Sequence, residues 1–317
     1  MKSLKVLSIG NSFSISAGEF FPNFVLASGN AVKFVSACIG GCSFERHAEC
    51  LKQCDADPSL KPYDYSVWYN AAGKIIKDWI PSGSVNQMLK DDNFDIVTIQ
   101  QASHFSWRPE TYQPFADELI ARIRKEQPQA EIMIQQTWSY RSQDRRFNAE
   151  WPVDQTGMFE HLDNAYRLLA EHTGFRRIPT GLAVQIARTK SPVKFQKISA
   201  EELVEYRWPD LPRQNGDVVG SMGWIKNEEG TLVITQDNIH LNRRGQYLQA
   251  AVWYGAMYGT DPRKVVWSPR STGEPHFEFA AGNPVNVPWG DSIIDDKDAE
   301  FLRECAFEAL VQEGYKL

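Results

Sequence analysis

The chain has 317 residues, of which 42% are hydrophobic and 23% charged, and this composition is typical of a globular protein with a sizeable buried core. Its formal net charge of −6 gives it none of the basic character that nucleic-acid binding requires. No apolar run approaches the ~20 residues of a bilayer-spanning helix, so neither a nucleic acid nor a membrane is predicted as a partner.

The chain opens with a short polar segment, residues 1–5, that leads directly into the apolar run "VLSIG". This run is too short for the apolar part of a signal peptide, and no cleavage motif follows it. The sequence as given is therefore expected to be cytoplasmic. Export would require a leader upstream of it.

Short apolar runs alternate with segments of helical periodicity along most of the chain. The predicted strands cover residues 4–9, 31–41, 94–101, 130–138 and 175–184, and the predicted helices cover about 19–27, 114–125, 156–173, 243–257 and 296–313. Strands that alternate with helices form parallel crossover units. The predicted fold class is therefore α/β, a three-layer α/β/α sandwich with a central parallel five-stranded sheet.

Three longer stretches interrupt this alternation, at about 55–90, 138–155 and 186–236. The first is expected to form partly helical excursions over the sheet, and the other two to be rich in loops. Loops of this length in a compact domain are usually functional. The simplest organisation is one domain over residues 1–317 with loop insertions and a C-terminal extension from about residue 260, whose Pro- and Gly-containing part runs to about 292.

Four of the five cysteines lie close together, with His47 among them: Cys38, Cys42, Cys50 and Cys54. Their spacing differs from the paired short-spaced cysteines of structural zinc sites. Buried free thiols are the favoured interpretation, and disulfides remain open only for an exported protein. No metal and no other cofactor is predicted.

Ser12 follows the first predicted strand by two residues, in the turn "GNSFS". A serine on such a turn can act as a nucleophile, and its own backbone N–H can stabilise negative charge that develops on a substrate. Glycine, asparagine and serine are also common turn and cap residues, so the turn alone favours a structural role. Phosphate binding is a further alternative, but no glycine-rich phosphate-binding motif follows the strand.

Asp237 and His240 lie directly before a predicted amphipathic helix that Asn242 can cap. A histidine there can accept the proton of a serine through one ring nitrogen, while the carboxylate accepts from the other nitrogen and fixes the tautomer. The alternative is that Asp237 caps a turn and His240 is a surface residue. The pair alone does not decide between these interpretations.

Together these features resemble the SGNH (GDSL-like) serine hydrolases, in a bacterial branch that has GNS in place of GDS. The resemblance runs through four blocks in order, "IGNSFS", "IGGCSFERH", "VTIQQASHFS" and D-x-x-HLN-x-x-G-x-Y. It implies a flavodoxin-like sheet, with Ser12 as nucleophile, His240 as general base and then acid, and Asp237 as its orienting carboxylate. It also implies metal-free hydrolysis of a small acyl ester, commonly acetyl and often on a carbohydrate.

The resemblance further implies an oxyanion hole made by the backbone N–H groups of Ser12 and Gly41, the latter beside Gly40. Members of the family complete the hole with the asparagine of a Gly-x-Asn motif, which this chain lacks. Its third block instead has two glutamines, of which Gln101 is the expected donor and Gln100 the alternative.

Several side chains are expected to border the site because they follow strands or lie in the long loop before Asp237. Trp107, Trp138 and Trp224 are candidates for contact with a sugar ring, although core packing explains most tryptophans equally well. His104 is a candidate for substrate contact, with a structural role favoured for it and for His47. A catalytically weak or inactive carbohydrate-binding protein of the same fold is the alternative function, and the oligomeric state does not follow from the sequence.

Overall fold

The computed structural model describes residues 1–212, 216–269, 283–284 and 294–317. The strands are β1 (Ser3–Gly10), β2 (Ala31–Cys38), β3 (Tyr63–Ala71), β4 (Lys74–Gly83), β5 (Ile96–Ile99), β6 (Glu131–Gln135), β7 (Arg177–Ile178), β8 (Val219–Lys226), β9 (Leu232–Leu241) and β10 (Asn283–Pro284). The α-helices are α1 (Ser12–Ile15), α2 (Phe21–Ala27), α3 (Phe44–Ala56), α4 (Val85–Asp91), α5 (Phe115–Glu126), α6 (Gln155–Thr173), α7 (Thr180–Lys190), α8 (Ala200–Leu203), α9 (Arg243–Tyr258) and α10 (Asp296–Gln312).

The main sheet has seven strands in the order β4-β3-β2-β1-β5-β6-β7. The five strands from β2 to β7 in this order run parallel. Numbered along the chain, they have the order 2-1-3-4-5 of flavodoxin-like folds. Helices α2, α7, α9 and α10 pack together as one layer, and α3, α4 and α5 pack together as another. The predicted α/β class and its parallel five-stranded sheet are confirmed.

Strands β3 and β4 form an antiparallel hairpin that extends the main sheet beyond β2. The expectation of helical excursions in this region is correct only for α4. The turn of the hairpin is the pair Ala72 and Gly73, which both have positive φ, 52° and 77°. Two-residue hairpin turns of this kind usually have asparagine or aspartate first. Because alanine occupies that position here, the sequence gives no recognisable signal for the hairpin turn.

The predicted fifth strand, 175–184, is shorter than expected. Only Arg177 and Ile178 pair with β6, and α7 begins two residues later at Thr180. The apolar residues that follow have helical rather than alternating spacing, and Ala183, Val184 and Ala187 are buried together. The part of the prediction after Pro179 was therefore wrong.

A second sheet, in the order β10-β8-β9, occupies part of the segment that was expected to be loop. The pairing of β8 with β9 is irregular: Val219 lies opposite Leu241, and Ser221 lies opposite Asp237. Residues 238–240 of β9 therefore face only Gly220. This irregularity displaces the end of β9 toward the carboxyl edge of the main sheet, ahead of α9.

Helix α9 begins where the sequence predicts, because the Asn242 side chain accepts a hydrogen bond from the Gly245 backbone N–H. Helix α10 also follows its prediction, whereas most of the Pro- and Gly-containing tail lies outside the described residues. In the described parts of the chain, no helix is both long enough and apolar enough to cross a bilayer.

Gly220 is the residue on which the irregular pairing depends. It has a φ of +83°, and a Cβ at this position would lie 2.6 Å from the Asp237 carbonyl oxygen and 2.6 Å from Arg141 Nε. We therefore expect Gly220→Ala to lower the free energy of unfolding by about 3 kcal/mol, as measured by urea denaturation. Gly223→Ala is the matched control, because a Cβ at Gly223 in the same strand meets open space. Equal stability of the two variants would contradict this account.

Candidate active site

Ser12 is the first residue of α1, and Asn11 fixes the turn that presents it. The Asn11 Oδ1 accepts hydrogen bonds from the Phe13 backbone N–H (3.0 Å) and from Gln100 Nε2 (2.8 Å). Its Nδ2 donates to the Cys42 carbonyl at 3.0 Å. Asn11 is buried while Ser12 is half-buried. The serine hydroxyl is thus presented by a backbone that buried hydrogen bonds hold on both sides.

The structure brings the three predicted catalytic side chains together in one relay. Ser12 Oγ lies 2.8 Å from His240 Nε2, and His240 Nδ1 lies 2.7 Å from Asp237 Oδ2. The other carboxylate oxygen, Asp237 Oδ1, accepts from the backbone N–H groups of Ile239 (2.7 Å) and His240 (3.0 Å). The carboxylate is therefore fixed relative to the imidazole by contacts on both of its oxygens.

The electrostatics of the relay favour an ionised Asp237. Burial raises the pKa of this carboxyl, but the hydrogen bonds from the His240 ring and from two backbone N–H groups outweigh burial, so its pKa lies below the usual value. An ionised Asp237 can only accept, so it holds the proton of a neutral His240 ring on Nδ1. The lone pair of Nε2 is then directed at the Ser12 hydroxyl, the arrangement that proton abstraction requires.

Trp138 was expected at the rim of the site, and this expectation is wrong. Its side chain has 0% exposure. The indole stacks on the Phe13 ring with centroids 4.0 Å apart, and its Nε1 donates to the Ile239 carbonyl at 2.9 Å. Trp138 therefore packs against the neighbours of Ser12 and His240 and cannot offer a face to a substrate.

The other two candidate tryptophans are also largely covered. Trp107 is 9% exposed and has the Arg108 guanidinium over its ring, and Trp224 is 6% exposed with its Nε1 bonded to the Asp210 carbonyl. The expectation of open aromatic faces is therefore wrong for these residues as well. The candidate His104 is half-buried. Its pKa is lowered mainly by burial and to a smaller extent by the positive charges of Arg146 and Arg108.

Gln101 was expected to complete the oxyanion hole, and the structure assigns it a different role. Its Oε1 accepts from the backbone N–H groups of Phe44 and Ala102, both at 2.9 Å. Its Nε2 donates to the carbonyl (3.0 Å) and hydroxyl (3.2 Å) oxygens of Thr111. Because these contacts occupy the whole amide, the expectation is wrong. The alternative, Gln100, instead supports the Asn11 cap.

Gly40 and Gly41 form an exposed turn beside Ser12. The turn is closed by the Cys42 backbone N–H, which donates to the Ile39 carbonyl at 3.1 Å. Gly41 has a φ of +62°, which glycine adopts without strain. The bond from Asn11 to the Cys42 carbonyl ties this turn to the nucleophile. The turn that contains Gly41 is thus bonded to the residue before Ser12, and the role of Gly41 as an oxyanion donor stays a prediction.

Sequence reasoning missed Ser103 and Tyr140. The Ser103 hydroxyl, just past the end of β5, lies 2.7 Å from the Tyr140 hydroxyl. Burial raises the pKa of Tyr140 to about 12, against the opposing effects of the Ser103 hydrogen bond and the Arg146 charge. The phenol is therefore protonated at neutral pH. The only sequence signal was the position of Ser103 after a parallel strand.

The cysteine cluster is structural in character. All five cysteines are free thiols, and burial raises the pKa of Cys38 to about 12. His47 is buried with Nδ1 at 2.8 Å from the Tyr63 hydroxyl, and burial lowers its pKa to about 3. Within the described ranges, no group of three or more histidine, cysteine or acidic side chains could hold a metal ion.

The comparisons with known proteins identify solved structures that are similar to this chain. The chain is similar to the crystal structure of a DUF4886 family protein from Bacteroides uniformis, with a TM-score of 0.70 and 23% identity over 98% of this chain and 95% of that one. It is also similar to a protein from Slackia heliotrinireducens provisionally named an SGNH hydrolase, with a TM-score of 0.47 and 16% identity over 80% and 99% of the two chains. For a protein from Parabacteroides merdae provisionally named a GDSL-like lipase, the TM-score is 0.44 and the identity 12% over 81% and 96%.

The model of the DUF4886 family, described as a domain of unknown function, matches residues 5–199. The match covers more than half of the chain, so the chain belongs to the DUF4886 family. Among proteins with curated functions, none matches the sequence. The matched range includes Ser12, Gly41 and Gln101, whereas Asp237 and His240 follow it.

The structural role of Gln101 can be separated from the catalytic role by measuring stability. Gln101→Ala leaves buried backbone groups at Phe44, Ala102 and Thr111 without their partner, and we expect it to lower the free energy of unfolding by about 3 kcal/mol. The exposed Gln53 offers a matched control, since Gln53→Ala should change stability by less than about 0.5 kcal/mol. A Gln101→Ala variant as stable as the wild-type protein would refute the structural assignment.

Proposed function

We propose that this member of the DUF4886 family is a serine esterase that hydrolyses small acyl esters through an acyl-enzyme. The observation that carries the proposal is the unbroken relay from Ser12 Oγ through both nitrogens of His240 to Asp237, with distances of 2.8 and 2.7 Å. The His240 side chain is 26% exposed and Ser12 is half-buried, so the reacting atoms are accessible to a ligand.

In the first half of the reaction, Ser12 Oγ attacks the acyl carbon and its proton passes to His240 Nε2. The resulting tetrahedral intermediate carries a negative charge on the former carbonyl oxygen. The bond from the acyl carbon to the alcohol oxygen then breaks, and His240 donates the proton to that oxygen. The alcohol leaves and the acyl group remains on Ser12.

In the second half, a water molecule replaces the alcohol. His240 accepts a proton from the water while its oxygen attacks the acyl carbon, and the proton then returns to Ser12 Oγ as the acid leaves. In both halves the imidazole becomes a cation for part of the cycle. The carboxylate of Asp237, held by two backbone N–H groups, stabilises that cation without itself becoming protonated.

The charge of the intermediate needs donors aimed at the acyl oxygen. The proposed donors are the Ser12 backbone N–H, which has no acceptor within α1, and the Gly41 backbone N–H in the exposed turn. The proposed side-chain donor is the Ser103 hydroxyl in place of Gln101. If Tyr140 donates its proton to Ser103 Oγ, the serine proton is free to point toward the ligand.

For the substrate, we propose an acetyl or similarly short acyl ester, with a carbohydrate as the first alcohol class to test. The buried tryptophans give no support for stacking on a sugar ring, so the carbohydrate preference comes from the resemblance noted in the sequence. A panel of acetylated sugars and simple short-chain esters separates the two. The alternative, an inactive carbohydrate-binding protein, would bind members of the panel without turnover.

Labelling with a fluorophosphonate tests the nucleophile directly. We expect the wild-type protein to form a covalent adduct and to hydrolyse p-nitrophenyl acetate, and Ser12→Ala to lose both activities, because the attacking oxygen is removed. Ser28→Ala is the control, since this half-buried serine bonds only to the end of α2 and to Asn30, away from the relay. A folded wild-type protein that is neither labelled nor active would refute the esterase proposal.

The proposed role of Ser103 is tested by kcat. Removing one oxyanion donor typically costs about 10²-fold in kcat, and we expect a loss of that order for Ser103→Ala with KM changed much less. Ser106→Ala is a suitable comparison because this nearby buried hydroxyl bonds only to the Ser103 carbonyl. Equal kcat values for the two variants would refute the role of Ser103 as an oxyanion donor, but they would not contradict the esterase proposal.

A further inference from the structure

The nucleophile and the base of the relay come from separate parts of the fold. Ser12 follows β1 of the main sheet, whereas His240 lies at the end of β9 in the second sheet, 228 residues away. Among the described residues, no strand pairing joins β9 to the main sheet. Helix α9, which directly follows β9, is tied to the nucleophile segment by Gln249, whose Nε2 donates to the Phe13 carbonyl at 2.9 Å. Side chains that contact both segments also contribute to the separation of Ser12 Oγ and His240 Nε2.

Trp138 contacts the residue next to each catalytic side chain. Its ring stacks on Phe13, the neighbour of Ser12, with an interplanar angle of 5°. Its Nε1–H donates to the carbonyl of Ile239, the neighbour of His240. One planar ring system thus spans from the nucleophile segment to the base segment, three residues after the end of β6.

Phe13 completes the arrangement on its other side. The His240 ring lies 5.6 Å from the Phe13 centroid at an interplanar angle of 63°, an edge-on aromatic contact. Phe13 is 1% exposed and Trp138 is 0% exposed, so neither ring has free space into which to tilt. A change in the Trp138 ring is therefore transmitted to both ends of the relay.

We infer that Trp138 is a positioning residue that sets the distance between Ser12 and His240, an inference that rests on the proposed esterase function. The stack on Phe13 fixes the ring, and the N–H then fixes the Ile239 carbonyl and with it the backbone that carries His240. Misplacement of a catalytic group by about 1 Å can cost about 10²-fold in rate.

The test compares two substitutions of fully buried tryptophans. Trp138→Phe keeps an aromatic ring against Phe13 but removes the N–H. Trp253→Phe makes the same chemical change at a residue that is also 0% exposed, and its Nε1 has no hydrogen-bond partner in the structure as described. Trp253 packs against Phe21 and Phe34, away from the relay.

We expect kcat for p-nitrophenyl acetate to fall about 10²-fold in Trp138→Phe, with KM within about twofold of the wild-type value. Trp253→Phe should retain kcat, and the melting temperature of each variant is used to compare kcat at equal folded fraction. If the two variants have the same kcat at equal folded fraction, the positioning role is refuted. A benzothiophene analogue of tryptophan at position 138 keeps the ring shape but lacks the N–H, and we expect it to lower kcat as well. Full retention of kcat with this analogue would refute the role of the N–H.

A second readout does not depend on ester turnover. The proton shared by His240 Nδ1 and Asp237 should give a low-field signal in the proton NMR spectrum, present in the wild-type protein and in Trp253→Phe. Its loss or shift in Trp138→Phe is the expected result, and an unchanged signal would overturn the inference. A wild-type protein with this signal but without labelling or activity would refute the esterase proposal while leaving the positioning role supported.

Discussion

The hydrogen bond between Ser12 and His240 is the constraint on which the arrangement of the site depends, because it joins two sheets that share no strand. Each partner is therefore fixed locally. On one side, the Asn11 cap, with Gln100 bonded to it, defines where the serine hydroxyl lies. On the other side, the irregular stretch of β9 opposite Gly220 holds the imidazole ahead of α9. The relay forms where these two segments meet, and Trp138 contacts both of them.

Irregular backbone near a site needs partners for its polar groups, and Arg141 supplies several of them. This fully buried residue donates from Nε to the Val219 carbonyl (2.7 Å) and from Nη2 to the Gly220 carbonyl (2.6 Å). Its backbone N–H donates to the Asn238 carbonyl at 2.8 Å. Charge-assisted bonds to carbonyls are strong, so one arginine satisfies much of the backbone that the β8–β9 irregularity leaves unpaired. An arginine in a polar stretch gives no hint of this burial in the sequence.

The sequence predicted the parts of the molecule that depend on local pattern. The apolar runs of the parallel strands, the periodicity of α5, α6, α9 and α10, and the Asn242 cap each depend on residues close together in the chain. The parts it did not predict depend on distant partners. Gln101 looks like a free donor until Phe44 and Thr111 are seen around its amide, and Trp138 looks like a rim residue until Phe13 is seen against its ring. The β3–β4 hairpin was not predicted for a local reason, since alanine occupies a turn position that usually holds asparagine.

The extent of the family match bears on how function can be transferred between its members. The matched range, 5–199, contains Ser12 and the glycine turn, but it ends before His240 and Asp237, the proposed base and its carboxylate. Since Ser12 without His240 is a serine on a capped turn, membership of the family alone does not establish a hydrolase. The case for a hydrolase rests on residues beyond the matched range. There, an irregular strand of the second sheet carries Asp237 and His240, and His240 contacts Ser12. Trp138, inside that range, is one of several contacts between the two regions, and it touches Phe13 and Ile239 at once.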